Sequence, residues 1–358
     1  MNNLDNKSNL ATLADEIKVW SKELGFSQLG ITDIDLKKDK DYLKKWLDNG
    51  FHGSMKYMES HGSKRGHPED LVKGTKRVIS VSMDYLPKEY NGKDLLSNSK
   101  KGLVSGYARG RDYHKLMRSR LKKLANKIKV HSPHENRVFV DSAPVLEKAL
   151  AQKAGLGWIG KNTLLINKKM GSYFFLGEIY TDLELPIDKP ADTNHCGTCT
   201  NCMDVCPTKA FKGPNQLDAR KCISYLTIEH KGSIDKKLRP LMGNRVFGCD
   251  DCQIFCPWNK FAQYTSEDDF QPRHGLDNSD LIDLFMWTEE EFLKKTEGSP
   301  IRRAGYFGWL RNLAIGLGNS ESSKNVIAAL TSRQEHPSDM VREHVKWALQ
   351  EHTRREKL

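Results

Sequence analysis

Eight cysteines carry the most specific chemical signal in this chain of 358 residues, and all of them lie between Cys196 and Cys256. The run Cys196-x2-Cys199-x2-Cys202-x3-Cys206-Pro207 has the spacing that holds [4Fe–4S] clusters in bacterial ferredoxins, where the fourth cysteine ligates the other cluster. A shorter run, Cys249-x2-Cys252-x3-Cys256-Pro257, follows, with Cys222 alone between the two. Eight thiolates complete two clusters. The crossed arrangement assigns Cys196, Cys199, Cys202 and Cys256 to the first, and Cys206, Cys222, Cys249 and Cys252 to the second. Two zinc sites are the competing account. Zinc ribbons, however, bring their ligands as separated C-x2-C pairs, unlike three cysteines in quick succession with a fourth before proline. Ferredoxin-type clusters move electrons singly and do not transform an organic substrate, so a second redox centre is expected in the rest of the chain.

Two other motifs fail on context. Gly155-Leu-Gly157-Trp-Ile-Gly160 matches G-x-G-x-x-G, and with Lys161-Asn162 it approaches a phosphate-binding loop. Such loops need a strand before and a helix after, and here a helical EKALAQKA precedes an extended TLLINKK. A glycine-rich helix stop feeding a strand is the better reading. Asp112-Tyr113-His114 suggests the D-x-H-x-x-G cobalamin motif, but Met117 stands at the glycine, leaving His114 to pack or hydrogen-bond within a helix start.

Lys+Arg exceed Asp+Glu by 57 to 46, a net charge of +11, and two four-thiolate clusters would lower it to about +7. Residues 99–130 hold 11 Lys/Arg against one acid, Asp112. That balance points to a polyanionic partner. No run approaches a membrane span and the N-terminal stretch has no apolar signal-peptide region, so a cytoplasmic protein without membrane contact is expected. In a reducing compartment clustered cysteines bind metal rather than form disulfides.

The surrounding elements follow from periodicity. Leu10, Leu13, Ile17, Trp20 and Leu24 predict an amphipathic helix ending at Gly25. RVISVSM (77–83), RVFV (137–140) and YFFLGEIY (173–180) predict buried strands, and 144–154 a helix. PIDKP (186–190) reads as a linker. From about residue 270 the chain is helical, with 310–317, 323–332 and 339–352 separated by polar breaks, suggesting a short helical repeat. The expected fold is a mixed α+β and α/β multi-domain chain, divided as 1–188 (α/β catalytic domain), 189–265 (ferredoxin-like two-cluster domain) and 266–358 (helical module).

The segments SGYARGRDYHKLM (105–117), VDSAPVLEKALAQKAGLGWIGKNTLLI (140–166), KCISYLTIEHKG (221–232) and GNRVFGCDDCQIFCPWNK (243–260) resemble the epoxyqueuosine reductases. RNLAIGLGN (311–319) resembles the start of that family's C-terminal HEAT-like repeat. This family is related to cobalamin-dependent reductive dehalogenases.

The resemblance implies a cytoplasmic, monomeric oxidoreductase carrying base-off cobalamin and two [4Fe–4S] clusters. It would deoxygenate epoxyqueuosine at the wobble position of tRNAs with a GUN anticodon. The partners implied are the tRNA anticodon stem-loop and an external flavodoxin- or ferredoxin-type donor or reductase. Asp141 matches the family's proton donor, with burial expected to raise its pKa. Without the resemblance, Asp141 reads as an N-cap ahead of Pro144. Arg65, Ser105, Tyr107, Asp141, Leu165, Ser172, Gly177 and Ser224 match cobalamin-contact positions. Arg111, Lys115, Arg118 and Lys122, with Arg302, Arg303 and Arg311, are the expected tRNA contacts. The alternatives are a cobalamin dehalogenase acting on a small molecule and a non-catalytic iron–sulfur electron carrier.

Overall fold

The structure, a computed structural model, describes residues 3–191 and 193–357. The N-terminal amphipathic pattern forms the helix Asn3–Glu23, and Gly25 follows it in a left-handed conformation (φ +83°) as a helix stop. Four strands make an antiparallel sheet in the order Gln28–Thr32, Arg77–Asp84, Phe174–Thr181, Asn136–Phe139. The sheet is therefore α+β in character, without parallel crossover pairing.

Side-chain alternation along the strands divides the core in two. Ile79, Val81 and Ile179 pack against the helices Asn3–Glu23 and Tyr113–His131 through Ile17, Leu121 and Ile128. Val78 and Tyr180 face the opposite side, against Leu150 of the helix Glu147–Lys153. Glu178 shares that second side with Tyr180 by the period of two, and it is completely buried.

The helix expected over 144–154 begins later, at Glu147, with Leu146 at its N-cap and no side-chain cap. Asp141 is consequently not a helix cap. Gly155, in a left-handed conformation, ends this helix and leads into the strands Trp158–Ile159 and Leu165–Ile166, the order expected for a helix stop rather than a nucleotide loop. The PIDKP segment is irregular but anchored, since Asp188 pairs with Lys18 at 2.6 Å and accepts the Ile31 N–H.

The cysteine-bearing region and the C-terminal helices share one hydrophobic core. Ile223, Leu226, Val246 and Phe247 pack with Leu284, Trp309, Leu313 and Val345. The strand Arg245–Phe247 also pairs, in parallel, with Leu103–Val104 from the first third of the chain. The C-terminal helices are Tyr306–Asn319, Lys324–Thr331 and Asp339–Glu356.

Candidate active site and cluster-binding region

All eight cysteines are free thiols. They gather in two sets. Cys202 faces Cys196, Cys256 and Cys199, and Cys256 in turn faces Cys196 and Cys199. In the second set, Cys222 lies near Cys206, and both Cys249 and Cys252 lie near Cys222. Cys252 is also within electrostatic reach of Cys202, which links the sets. The first four line a cavity of about 350 Å³ together with Trp258 and Lys161. Among the described residues no three His, Cys, Asp or Glu converge on a point that one metal ion could occupy. A cubane spreads its four thiolates wider than a zinc ion does, so this donor set fits two [4Fe–4S] clusters and not zinc.

Backbone and side-chain donors already point at the sulfurs. The N–H groups of Tyr225 and Ser224, at the start of the helix Ile223–Ile228, face the Cys222 sulfur. The Trp158 indole donates to Cys196 Sγ at 3.5 Å, and the Ala210 N–H donates to Cys206 Sγ at 3.3 Å. Such hydrogen bonds tune cluster potential. The failed nucleotide loop has a role here. Lys161 Nζ donates to the carbonyls of Gly197 (2.7 Å) and Cys199 (2.9 Å), while Asn162 Nδ2 donates to that of Cys252 (3.3 Å). One loop thereby clamps both cluster-binding segments to the sheet domain.

Asp141 follows the strand Asn136–Phe139 and has a positive φ of 46°. A non-glycine residue in that region is strained, and such strain persists where the surroundings enforce it. Two neighbours do so. The Asp141 N–H donates to Glu147 Oε1 at 2.5 Å, and its Oδ2 lies 3.3 Å from His114 Nε2. The other ring nitrogen of His114, Nδ1, is 2.6 Å from Asp112 Oδ1. Asp112 also caps the helix Tyr113–His131 by accepting the His114 N–H. His114 is therefore a bridge between two carboxylates rather than a packing residue.

The electrostatics of this bridge reverse one expectation. Burial disfavours the imidazolium, but Asp112 and Asp141 outweigh it and push His114 up to about 9. For Asp141, burial acts upward, but the His114 hydrogen bond and charge, the Tyr113 hydroxyl and the Arg303 guanidinium bring it below the ordinary carboxylate range. Asp141 is held ionised beside a protonated imidazole. It is not raised as a lone buried acid would be.

Asp141 is enclosed by protein on most sides, yet 48% of its side chain is open to solvent. Glu147 and Lys148 combine enclosure with exposure in the same way. These residues border a partly open recess. Tyr57, Arg65, Tyr107 and Arg303 lie within electrostatic reach of Asp141, and Tyr57 and Tyr107 are each within reach of Glu229 and Arg303. Lys148, whose ammonium donates to the Thr163 carbonyl at 2.8 Å, is in reach of both Asp141 and Cys252. Lys148 thus stands between Asp141 and the second cysteine set.

The other sequence-derived positions divide. Arg65 donates to the Tyr57 carbonyl at 3.1 Å and keeps a buried Nε without a partner, and Tyr107 shares the recess. Ser105 instead donates to Asp250, which also accepts the Gly106 N–H (2.7 Å) and the Tyr90 hydroxyl (2.8 Å). Ser172 is bonded to Asn259 and Gln253, and Leu165 is core. Gly177 packs beneath the helix Tyr113–His131, where a Cβ would lie 2.9 Å from Leu121. Ser224 contributes its N–H to Cys222.

Of the basic residues, Lys115, Arg118 and Lys122 project from one exposed helix face, and Arg111 is exposed beside Asp269. Arg302 and Arg303 are exposed, Arg303 pairing with Glu229 at 2.9 Å. Arg311 is a correction. It is 1% exposed and its guanidinium donates to the carbonyls of Leu226, His230 and Gly232, so it joins two segments of the core and cannot touch RNA. Sequence reasoning missed the partners of Asp141, namely Glu147 and Glu178, and gave His114 no chemical role. The detectable signal was an acid, Glu178, inside an otherwise apolar strand.

An antiparallel sheet domain with a half-open acidic recess, joined to a cluster of eight free thiols, defines an iron–sulfur oxidoreductase. Residues 195–259 match the 4Fe-4S double cluster binding domain, and residues 65–142 match the family described as Epoxyqueuosine reductase QueG, DUF1730. The chain is 60% identical over 343 residues to the epoxyqueuosine reductase of Pseudomonas aeruginosa, covering 96% of this chain and 95% of that one. It is 54% identical to that of Escherichia coli strain K12, covering 95% and 89% respectively. Its structure superposes on an epoxyqueuosine reductase solved with an epoxyqueuosine-modified tRNA-Tyr stem loop (TM-score 0.84, 27% identity, 95% and 90% coverage). It also superposes on the Streptococcus thermophilus enzyme (TM-score 0.85, 29% identity, 95% and 90% coverage). The chain belongs to the epoxyqueuosine reductase family.

Proposed function

We propose that this enzyme reduces epoxyqueuosine to queuosine at the wobble position of GUN-anticodon tRNAs, the last step of queuosine synthesis, using two [4Fe–4S] clusters and cobalamin. The observation that carries the reading is the position of Asp141, strained and paired with His114 on the recess. The recess suits a cobalamin: it is solvent-accessible, Lys148 on it is within reach of Cys252, and Arg65 offers it a buried Nε without a partner. Arg65, Tyr107 and Lys148 are the residues positioned to hold it. When bound, cobalamin supplies a strongly reduced cobalt able to deliver electrons to the epoxide carbon.

Removing the epoxide oxygen as water takes two electrons and two protons. The oxygen is a poor leaving group until protonated, so an acid must reach it. Asp141 is the carboxylate facing the recess, and His114 behind it holds the proton. As negative charge grows on the oxygen, the imidazolium proton moves to Asp141, which passes it forward. Asp112 fixes the His114 ring, which keeps Nε2 aimed at Asp141. The Ser105–Asp250 hydrogen bonds fix the loop carrying Tyr107.

Electrons enter at the Cys196 set, near exposed Lys260 and Phe261, from an external flavodoxin- or ferredoxin-type donor, and pass to the Cys252 set. Residues 1–188 then serve as the catalytic region and 189–265 as the electron path. Residues 266–358 form a single HEAT-like helix pair with flanking helices that meets the tRNA. Arg111, Lys115, Arg118, Lys122, Arg302 and Arg303 meet its phosphates, in a cytoplasmic monomer. The wobble base must leave its stack to reach Asp141.

The test is iron and cobalt content after anaerobic purification and incubation with cobalamin, followed by turnover of epoxyqueuosine-containing tRNA with Asp141→Ala as control. About eight iron and one cobalt per chain, with turnover abolished in D141A, support the reading. Full iron without retained cobalt refutes it.

A further inference from the structure

The reaction just proposed consumes two protons in each turnover, whereas the Asp141–His114 pair carries one. A second acid group lies directly behind Asp141. Glu147 accepts the Asp141 N–H at 2.5 Å. Glu178, opposite Phe139 in the sheet register, faces Glu147 from the strand Phe174–Thr181. Glu178 is 0% exposed, and neither of its carboxyl oxygens has a hydrogen-bond partner among the described residues.

We propose that Glu147 and Glu178 share a stored proton and act as the relay that supplies the second proton of the reduction. Two facing carboxyls in a closed pocket cannot both be ionised. The groups that face them are few: Asp141 and the Tyr180 hydroxyl, with Arg65 and Lys148 toward the recess. The Lys148 ammonium is bonded to Thr163 and Arg65 to the Tyr57 carbonyl, so neither forms an ion pair with the acids. Burial, then Asp141, raise Glu147 to about 8, so the proton is retained at neutral pH. Glu147 is only half-buried and opens on the recess, whereas Glu178 is sealed. Glu147 is thus the exchanging member of the pair and Glu178 the group that keeps a proton on it.

The first proton reaches the epoxide oxygen through Asp141 as the first C–O bond breaks. The second, from Glu147, reaches the resulting hydroxyl as the second C–O bond breaks, the alkene forms and water leaves. The two electrons come from the iron–sulfur clusters through the bound cofactor, and solvent re-protonates the pair between turnovers. Glu147, which opens on the recess, donates the proton, and Glu178 is a positioning residue that does not touch the substrate. This role rests on the epoxide reduction proposed above.

The experiment uses Glu178→Gln and Glu147→Gln. Infrared difference spectra of the cluster-loaded protein without cobalamin, recorded across pH, read the carbonyl stretch of a buried protonated carboxyl directly. Wild type should show such a band that fades near pH 8, and each variant should lose it. Turnover of the fully loaded enzyme should fall roughly a hundredfold in E178Q, the low end of the range for a missing proton-transfer group. Its dependence on pH should shift, with tRNA affinity unchanged. A wild type without the band, or an E178Q enzyme with the wild-type pH profile, overturns the relay. If E147Q releases the Asp141 loop and folds poorly, E178Q, which leaves the Asp141–Glu147 hydrogen bond intact, still decides. Wild-type protein with no activity on the modified tRNA would refute the reaction itself, while the infrared result would stand separately.

Discussion

Replacing His114 with glutamine tests the bridge on which the proposed chemistry depends. An ordinary imidazole titrates near 6.5, and the two flanking carboxylates push His114 up to about 9. That difference corresponds to about 3.4 kcal/mol in favour of the imidazolium, at about 1.36 kcal/mol for each tenfold change. Water reaches the half-open Asp141 carboxylate, and screening reduces the figure to about 2 kcal/mol. Because the folded-state value is raised, this stabilisation is complete below pH 6.5 and is lost as the pH rises through about 9. H114Q should therefore melt about 2–4 °C below wild type near pH 6 and close to wild type near pH 9.5, a gap read by thermal scans at matched rates. Turnover at neutral pH should fall roughly a hundredfold, and the alkaline limb near pH 9 should disappear. If the melting difference is the same at both pH values, and the alkaline limb survives, His114 carries no functional proton and the Asp141–His114 mechanism fails.

Other substitutions separate the remaining roles. Cys256→Ser and Cys252→Ser should each leave about four iron per chain. C256S should disable the outer cluster and C252S the one beside the recess, so their electron paramagnetic resonance signals should differ; identical spectra would refute the crossed ligand sets. Arg118→Ala with Lys122→Ala should weaken tRNA binding and lower the salt slope of log K by about 0.7–0.9 for each phosphate no longer neutralised. Arg311→Ala should instead lower the melting temperature, because it leaves the carbonyls of Leu226, His230 and Gly232 without their buried donor, and the salt slope should not move. Lys260→Glu, beside the outer cysteine set, should slow reduction by an acidic carrier protein while leaving reduction by dithionite unchanged. Equal slowing with both reductants would place electron entry elsewhere.

Some of these features were legible from residue types at short spacing. Thiolate ligation needs little more than the right side chains a few residues apart, so the two runs ending in Cys206-Pro207 and Cys256-Pro257 declared the clusters. Helices such as Asn3–Glu23 and the strands Arg77–Asp84 and Phe174–Thr181 followed from hydrophobic periodicity, which is also local. Tertiary structure decided the rest. Arg311 lies next to exposed arginines in sequence but is sealed in a core shared by two regions, because burial depends on what packs over a residue and not on its neighbours along the chain. His114 is pushed up first by Asp112, its neighbour in sequence, but the second carboxylate, Asp141, reaches its Nε2 only when a loop after a distant strand brings it there. Glu178 becomes a proton-holding acid only when the helix starting at Glu147 closes over it, since the cost of ionisation is set by desolvation and nearby charge, which the fold alone arranges.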